Sequence, residues 1–241
     1  MKFESKYYVG IKDIGVNNKI TNVAILGFLE EIGCAHSATC GYGVNDIETN
    51  KKAWLIMDWK LKVLERPKYG DEITIKTWSR PIEKHIFYTY RDFEVFNGGK
   101  KVAVATSKWI LFDIESKKIS KITDDIISLY KSEDTKVFEE KELPRLKEID
   151  DFSTQLEYKV RRLDIDVNQH MHNLNYLKLA YEVLPENVYY EEEKSNVRIM
   201  YKKQILLGDT VNCYYTELEG KQIVTIKNKE NTSLHAIIEL N

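Results

Sequence analysis

Apolar side chains at Ile25, Phe28, Leu29 and Ile32 follow the i, i+3, i+4, i+7 spacing that lays them along one face of a helix. Tyr176, Leu179, Ala180 and Val183 repeat that spacing far along the chain. Each segment starts directly after a polar cluster, with Asn22 and Asn173 where a helix cap is expected, because a short polar side chain can accept a bond from an amide of the first turn. Pro185 is expected to end the second helix, since the residue before a proline is pushed out of helical backbone. After each helix the pattern changes from a helical period to alternation. "WLIMDWKLKVLERPKYGDEITIKTW" and "VRIMYKKQILLGDTVNCYY" each place Gly-Asp, at 70 and 71 and at 208 and 209, between two alternating runs, as a turn requires. "HIFYTYRDFEVF", "NGGKK" and "VAVATSKWILFDI" read as strand, turn and strand of a long hairpin, and "KQIVTIKNKENTSLHAIIEL" at the C-terminus repeats it in shorter form.

The similarity between the two halves extends to residue identity. Shifted by 151 positions, "DIGVNNKITNVAILGFLEEI" lies on "DIDVNQHMHNLNYLKLAYEV" without a gap. Asp13, Ile14, Val16, Asn17, Asn22, Leu26 and Glu31 fall on Asp164, Ile165, Val167, Asn168, Asn173, Leu177 and Glu182. A period this long belongs to a duplicated domain, not to a solenoid of short repeats. Each half reads as a strand, one central helix and then about four strands. The expected fold class is therefore α+β: two tandem hotdog domains, each a long antiparallel sheet wrapped around one helix. The boundaries read as 1–130 and 154–241, joined by a charged connection over 131–153, "KSEDTKVFEEKELPRLKEIDD".

Composition narrows the partners. Of 241 residues 43% are hydrophobic and 31% charged, enough for two cores, and the net charge of -2 gives no basic field for nucleic acid. The N-terminal stretch has no apolar segment of a secretory signal, and no run approaches the ~20 apolar residues of a membrane span. Cys34, Cys40 and Cys213 are odd in number and lack a C-x-x-C pair, which suits thiols in a reducing compartment. A cytoplasmic protein without membrane insertion is the expectation.

Residues 164–173, "DIDVNQHMHN", hold two Asp, two Asn and two His. Capping alone would call for similar groups in both copies. Instead Asp166 lies opposite Gly15, His170 opposite Lys19 and His172 opposite Thr21, while Asn168 keeps its partner in Asn17. The scaffold residues are shared and the titratable ones occur only in the second half, which points to chemistry there. Asp164 and Asn173 are shared and read as structural. Asp166, Asn168 and His170 alternate, so an extended backbone would aim an acid, an amide and a base at one space, beside helix-start N–H groups suited to an oxyanion. H-x-H with an Asp can bind a metal, but His36, His85 and His235 are scattered, so no metal and no cofactor are expected. No G-x-S-x-G, phosphate loop, dinucleotide fingerprint or H-E-x-x-H occurs.

"DIDVNQHMHNLNYLKLAYEVLP" resembles the signature of the acyl-acyl carrier protein thioesterases, Asp-x-Asn-x-His-x-Asn-Asn-x-x-Tyr, through Asp166, Asn168, His170, Asn173 and Tyr176. "ATSKWILFDIESKKISKI" resembles the segment that closes the family's first domain, and "TYRDFEVF" its Arg-Asp strand. The resemblance implies a hydrolase that releases a fatty acid from acyl carrier protein, with catalysis in the second domain. It further implies that Asp166, Asn168 and His170 work with a residue inside a Tyr-Arg-Arg-Glu-Cys-like stretch. Here that stretch is "YKKQI": Gln204 stands at the Glu position, Ile205 at the Cys position, and His172 replaces the first of the paired Asn. Without the Cys there is no thiol nucleophile at that place, and Gln cannot take up a proton near neutral pH.

The expected mechanism gives His170 the role of base toward water. Asp166 orients it, Asn168 holds the thioester carbonyl and Gln204 positions the water. Asn173 and Tyr176 complete the substrate site. Small Ala24 and Gly27 on the first helix leave room for the acyl chain in the N-terminal domain. Acyl carrier protein is the expected partner, docking on basic residues such as Arg161, Arg162, Lys202 and Lys203. An acyl-coenzyme A thioesterase and a non-catalytic acyl-thioester-binding module are the competing readings; a homodimer is compatible with all three.

Overall fold

The structure is a computed structural model and describes residues 2–82, 86–191 and 194–241. The chain forms two compact units, 1–143 and 144–241. The first contains β1 (Phe3–Tyr8), α1 (Asn22–Thr39), the single-turn α2 (Ile47–Asn50), β2 (Lys52–Val63), β3 (Glu72–Ser79), β4 (Thr89–Asn97), β5 (Lys100–Asp113), β6 (Lys118–Ser120) and α3 (Asp124–Leu129). The second contains β7 (Thr154–Lys159), α4 (Asn173–Glu182), α5 (Glu186–Glu191), β8 (Asn196–Tyr201), β9 (Thr210–Leu218), β10 (Lys221–Asn228) and β11 (Leu234–Leu240).

Within the first unit the strands lie in the order β1-β3-β4-β5-β2, every pair antiparallel. Within the second the order is β7-β9-β10-β11-β8, again antiparallel throughout. The two orders are the same once the strands are matched in sequence. Each unit sets one principal helix against one antiparallel sheet, the α+β arrangement that the alternating pattern predicts. The hairpin strand expected from His85 begins at Thr89, and His85 itself lies outside the described residues.

Alternation places the core. In β3, Ile73, Ile75 and Thr77 are buried between the half-buried Glu72, Thr74 and Lys76. Trp59, Trp78 and Phe93 are the largest fully buried side chains of the first unit, and the Trp59 and Phe93 rings stand 5.3 Å apart. Burying such side chains contributes on the order of 2–3 kcal/mol each. α1 buries Ile25, Leu29 and Ile32 as its spacing predicts, adds Leu26, and leaves Phe28 half-buried against Tyr7. α4 buries Tyr176, Leu179 and Ala180, with Val183 just beyond it.

The caps differ from expectation by one residue. Thr21 caps α1, its hydroxyl accepting the Ala24 N–H at 3.1 Å, and His172 caps α4 through Nδ1 at 3.3 Å from the Leu174 nitrogen. Asn22 and Asn173 are the first helical residues instead. α4 stops at Glu182, and α5 begins directly after Pro185, a position where proline's missing N–H costs nothing.

The charged connection is exposed over most of its residues and is pinned at intervals. Within the first unit the Trp78 indole donates to the Thr135 carbonyl at 2.7 Å, and the Leu143 N–H to the Tyr90 hydroxyl at 3.2 Å. Arg80 grips Asp92 with two bonds of 2.6 and 2.9 Å and reaches the Lys141 carbonyl at 3.3 Å. Within the second unit Leu146 and Ile149 cover Met200, Ile223 and Ile237, and Phe152 stacks on Tyr214.

Candidate active site

Between β7 and α4 the chain makes a 3-10 turn, Arg162–Asp164, and then a tight hairpin. Asp164 fixes its entry. One carboxylate oxygen accepts the Arg161 N–H at 2.7 Å and the Tyr158 hydroxyl at 2.6 Å. Burial alone would push this carboxyl up, but the Tyr158 hydroxyl and the Arg161 amide and guanidinium outweigh it and hold it below the ordinary carboxylate range. The Asp164 carbonyl accepts the His172 N–H at 2.8 Å and the Asn175 side-chain amide at 3.0 Å, drawing the start of α4 back onto the turn.

The hairpin closes through Asp166 N–H to the His170 carbonyl at 2.8 Å and Gln169 N–H to the Asp166 carbonyl at 3.1 Å, with Gln169 at φ +66°. Asp166 and His170 are half-buried, and Asn168 is exposed at the tip. The backbone is therefore not the extended segment that alternation suggested. An Asp followed two residues later by an amide residue favours a side-chain-to-backbone turn over a strand. Asp166 Oδ1 accepts the Asn168 N–H at 2.8 Å and the His170 N–H at 3.4 Å, so its contact with His170 is to the backbone. The helix start is also less open than expected. The Leu174 N–H is taken by His172 Nδ1 at 3.3 Å and the Asn175 N–H by the His172 carbonyl at 2.9 Å.

The turn rests on the segment that joins β8 to β9. His170 bridges Leu206, and the Met171 N–H donates to the Ile205 carbonyl at 2.8 Å. The Lys203 carbonyl lies 3.4 Å from the Tyr176 hydroxyl and 3.1 Å from His235 Nδ1. Gln204 thus sits between two pinned carbonyls with its own side chain exposed. Tyr176 is buried and T-shaped against Tyr201 at 5.3 Å; burial raises its phenol pKa, and the backbone contact at Ile205 opposes this only partly. The Tyr201 hydroxyl donates to the Asn173 carbonyl at 3.0 Å. Asp166, Asn168 and His170 thus share one turn, which is bonded to the segment carrying Gln204 and followed by Asn173 and Tyr176 on α4.

Sequence reasoning passed over His235. It is 4% exposed, and a carbonyl can only accept, so Nδ1 carries the proton toward Lys203. Burial lowers its pKa, partly offset by that carbonyl. Its neighbour Ala236 pairs with Tyr201 in the β11–β8 register, which places the imidazole under the Lys203–Gln204 segment. Among the described residues no group of three or more His, Cys, Asp or Glu side chains is placed to hold a metal, and no helix is long and apolar enough to cross a membrane.

The first unit carries the same turn. Asp13 accepts the Gly10 N–H at 2.9 Å, its carbonyl takes the Thr21 N–H at 2.9 Å, and Gly15 N–H closes on the Lys19 carbonyl at 2.9 Å. Lys19 bridges Lys68 as His170 bridges Leu206. Counted back from those bridges, Arg66 occupies the place of Gln204. Arg66 donates to the Ile20 carbonyl at 2.9 Å and to Asn22 Oδ1 at 3.0 Å. The Lys19 N–H is held by Asn17 Oδ1 at 3.0 Å. In the second unit Asp166 performs that task, and the Asn168 side chain makes no hydrogen bond among the described residues. Ala24 and Gly27 are both half-buried on α1.

A family model described as the acyl-ACP thioesterase N-terminal domain matches residues 1–130, and one described as the acyl-ACP thioesterase C-terminal domain matches residues 147–240. Oleoyl-acyl carrier protein thioesterase 1 of Arabidopsis thaliana is 24% identical over 233 residues, covering 90% of this chain and 64% of the relative. An acyl-[acyl-carrier-protein] hydrolase of Cuphea viscosissima is 24% identical over 84% of this chain and 52% of its own length. The chain therefore spans less than two thirds of the length of these curated relatives. Among solved structures, an acyl-ACP thioesterase of Bacteroides thetaiotaomicron superposes with a TM-score of 0.88 at 17% identity, covering 99% of this chain and 96% of that one. The 12:0-ACP thioesterase of Umbellularia californica gives 0.88 at 17% identity, covering 100% and 96%. These two likenesses establish the fold, a hotdog domain in each unit.

Proposed function

Since the chain belongs to the acyl-ACP thioesterase family, we propose that it hydrolyses the thioester of a fatty acyl group carried on acyl carrier protein, releasing free fatty acid. The observation that carries this reading is the difference between two turns of one backbone: Gly15 and Lys19 in the first unit, Asp166 and His170 in the second. His170 takes a proton from water as the water oxygen bonds to the thioester carbonyl carbon. The Asn168 side chain, relieved of turn-holding by Asp166, donates to the carbonyl oxygen as charge develops on it. The carbon–sulfur bond then breaks, and the carrier's thiolate leaves with the proton from His170. Gln204 orients the water through its amide; it cannot remove the proton. Tyr176 and His235 hold the Lys203–Gln204 backbone in place.

In this reading Asn173 and Tyr176 complete the substrate site, and Ala24 and Gly27 contact the acyl chain. Gly27→Leu should then shift preference toward shorter chains by several-fold, read from a chain-length profile beside a thermal melt. The exposed Arg161, Arg162, Lys202 and Lys203 present positive charge to an acidic carrier. A cytoplasmic site of action belongs to the same proposal, in keeping with three unpaired cysteines. Gln204 in place of an acid favours one second reading, a module that binds acyl thioesters without cleaving them. Release of free thiol from matched acyl carrier protein and acyl-coenzyme A thioesters decides: turnover of the former supports the proposal, turnover of coenzyme A thioesters alone changes the carrier, and saturable binding without thiol release leaves the binding module.

A further inference from the structure

The first unit holds a cleft remote in sequence from the turn of the second. Phe3, His36, Cys40, Leu129 and Tyr130 are among the residues lining a cavity of about 290 Å³. His36, in the last turns of α1, is 5% exposed, with its ring stacked on Phe3 (centroids 5.1 Å, 9°) and edge-on to Tyr130 (5.4 Å, 76°). Behind it lies Arg91 of β4, also 5% exposed. Arg91 Nη1 sits 2.8 Å from His36 Nδ1 and 3.3 Å from the Thr77 hydroxyl, and its guanidinium carbon lies 5.7 Å from the Tyr130 ring centroid. The titratable groups facing it are the Tyr130 phenol and the Cys34 and Cys40 thiols, not a carboxylate.

Two consequences follow from these contacts. A guanidinium has only donors, so His36 Nδ1 must accept from Arg91, and the ring hydrogen is on Nε2. Nε2 makes no hydrogen bond to the described residues, and withdrawal of electron density toward Arg91 strengthens it as a donor. A buried cation without an anion is also unfavourable, and an anion entering the cleft relieves that cost. Burial and the Arg91 charge lower the His36 pKa to about 4, so the ring is neutral. The positive charge at the cleft comes from Arg91 behind it and from Lys131 in its lining.

We propose that this cleft is a binding site for a small monocarboxylate, its oxygen accepting the His36 Nε2–H in the field of Arg91 and its apolar body lying against Phe3 and Leu129. The volume stands at the low end of ligand pockets, which suits a short aliphatic or aromatic acid. The site is independent of whether the second unit hydrolyses thioesters.

Calorimetric titration of the full chain with sodium benzoate, sodium butyrate, benzyl alcohol, 1-butanol and sodium phosphate tests it. Both carboxylates should bind saturably, and the matching alcohols at least about tenfold more weakly. His36→Phe, which keeps the stack on Phe3 and removes the donor, should weaken carboxylate binding by about ten- to a hundredfold. Cys40→Trp, which fills the cleft from a half-buried position and leaves the Arg91–His36 bond in place, should weaken it as much and serves if the His36 variant fails to fold. Absence of saturable carboxylate binding, equal affinity for the alcohols, tighter binding of phosphate, or unchanged affinity in the folded Cys40→Trp protein would each overturn the proposal.

Discussion

The turn before α1 and the turn before α4 use the same backbone hydrogen bonds, with Asn18 at φ +59° and Gln169 at φ +66° in the same place. The closing bond is 2.9 Å in one and 2.8 Å in the other, and both rest on a loop that ends in a left-handed glycine, Gly70 at φ +87° and Gly208 at φ +84°. Since Gly15 and Lys19 suffice to form this backbone, Asp166 and His170 are not required to form it. Residues common to both turns, Asp13 and Asp164 above all, do the folding. Residues that differ are available for chemistry. The case of Asn17 and Asn168 adds a finer point: a shared residue can have a structural task in one copy and be released from it in the other.

The sharpest way to break this comparison is to truncate matched positions. His170→Ala should lower thioester hydrolysis by about 10²- to 10⁴-fold, the range for loss of a general base, with little change in melting temperature. Lys19→Ala at the matched position should change hydrolysis by less than about twofold. Equal effects at the two sites would end the assignment of chemistry to the second turn.

Next in size is the exchange of roles between Asp166 and Asn168. Asp166→Gly recreates the first turn, in which the Asn side chain holds the backbone, so the carbonyl loses its donor. A loss of about 10²- to 10³-fold is expected, matching Asn168→Ala. The double variant should be no worse than either single one, because both remove the same contact. Asp166→Asn keeps an oxygen able to accept the two N–H groups and should lose less than Asp166→Gly. Additive losses in the double variant would separate the two residues.

Stability offers a third contrast. Asp164 accepts the Tyr158 hydroxyl as well as a backbone N–H, whereas the carboxylate of Asp13 has only the Gly10 N–H among the bonds observed. Asp164→Asn should therefore destabilise the protein more than Asp13→Asn, by about 1.5–3 kcal/mol for the additional charge-assisted bond. The sign with pH follows from the depressed carboxyl of Asp164. Its contribution is present in full above the ordinary carboxylate range, about pH 4, and is lost as pH falls through the lower folded value. Denaturant titrations from pH 7 down to pH 2 should show wild type approaching Asp164→Asn; a constant gap would remove the ionised state from the account.

The duplication, the strand succession and the position of the polar turn were legible because they rest on periodicity and on an offset of 151 residues that holds without a gap from Asp13 to Ile32. Local hydrogen-bond choice was less legible. Asn22 and Asn173 have the side chains of caps, yet Thr21 and His172 take that place, and imidazole is not among the usual capping groups. The alternation of Asp166, Asn168 and His170 looks like a strand until the side-chain oxygen of Asp166 is seen to compete for backbone N–H groups. The pairing of Arg66 with Gln204 was hidden because the offset falls to 138 between Lys68 and Leu206. The helices account for part of that change: α1 has 18 residues and α4 has 10. His235 could have been found only by strand register, which one sequence does not supply.

The smallest expected effect bears on that hidden pair. Arg66 ties the first unit together through the Ile20 carbonyl and Asn22, while the side chain of Gln204 is exposed. Arg66→Ala should lower stability by about 1–3 kcal/mol through the acceptors it leaves behind, and Gln204→Ala should leave the melting temperature within about a degree. In hydrolysis the order reverses. Gln204→Ala should slow turnover by a few-fold, through loss of an amide that orients water, and Gln204→Glu should keep or raise turnover at neutral pH because a carboxylate both orients water and accepts its proton. The two substitutions together carry the test: if Gln204→Ala and Gln204→Glu both match wild type from pH 5 to pH 9, the position plays no part in the reaction, and the second turn must act without help from the segment it rests on.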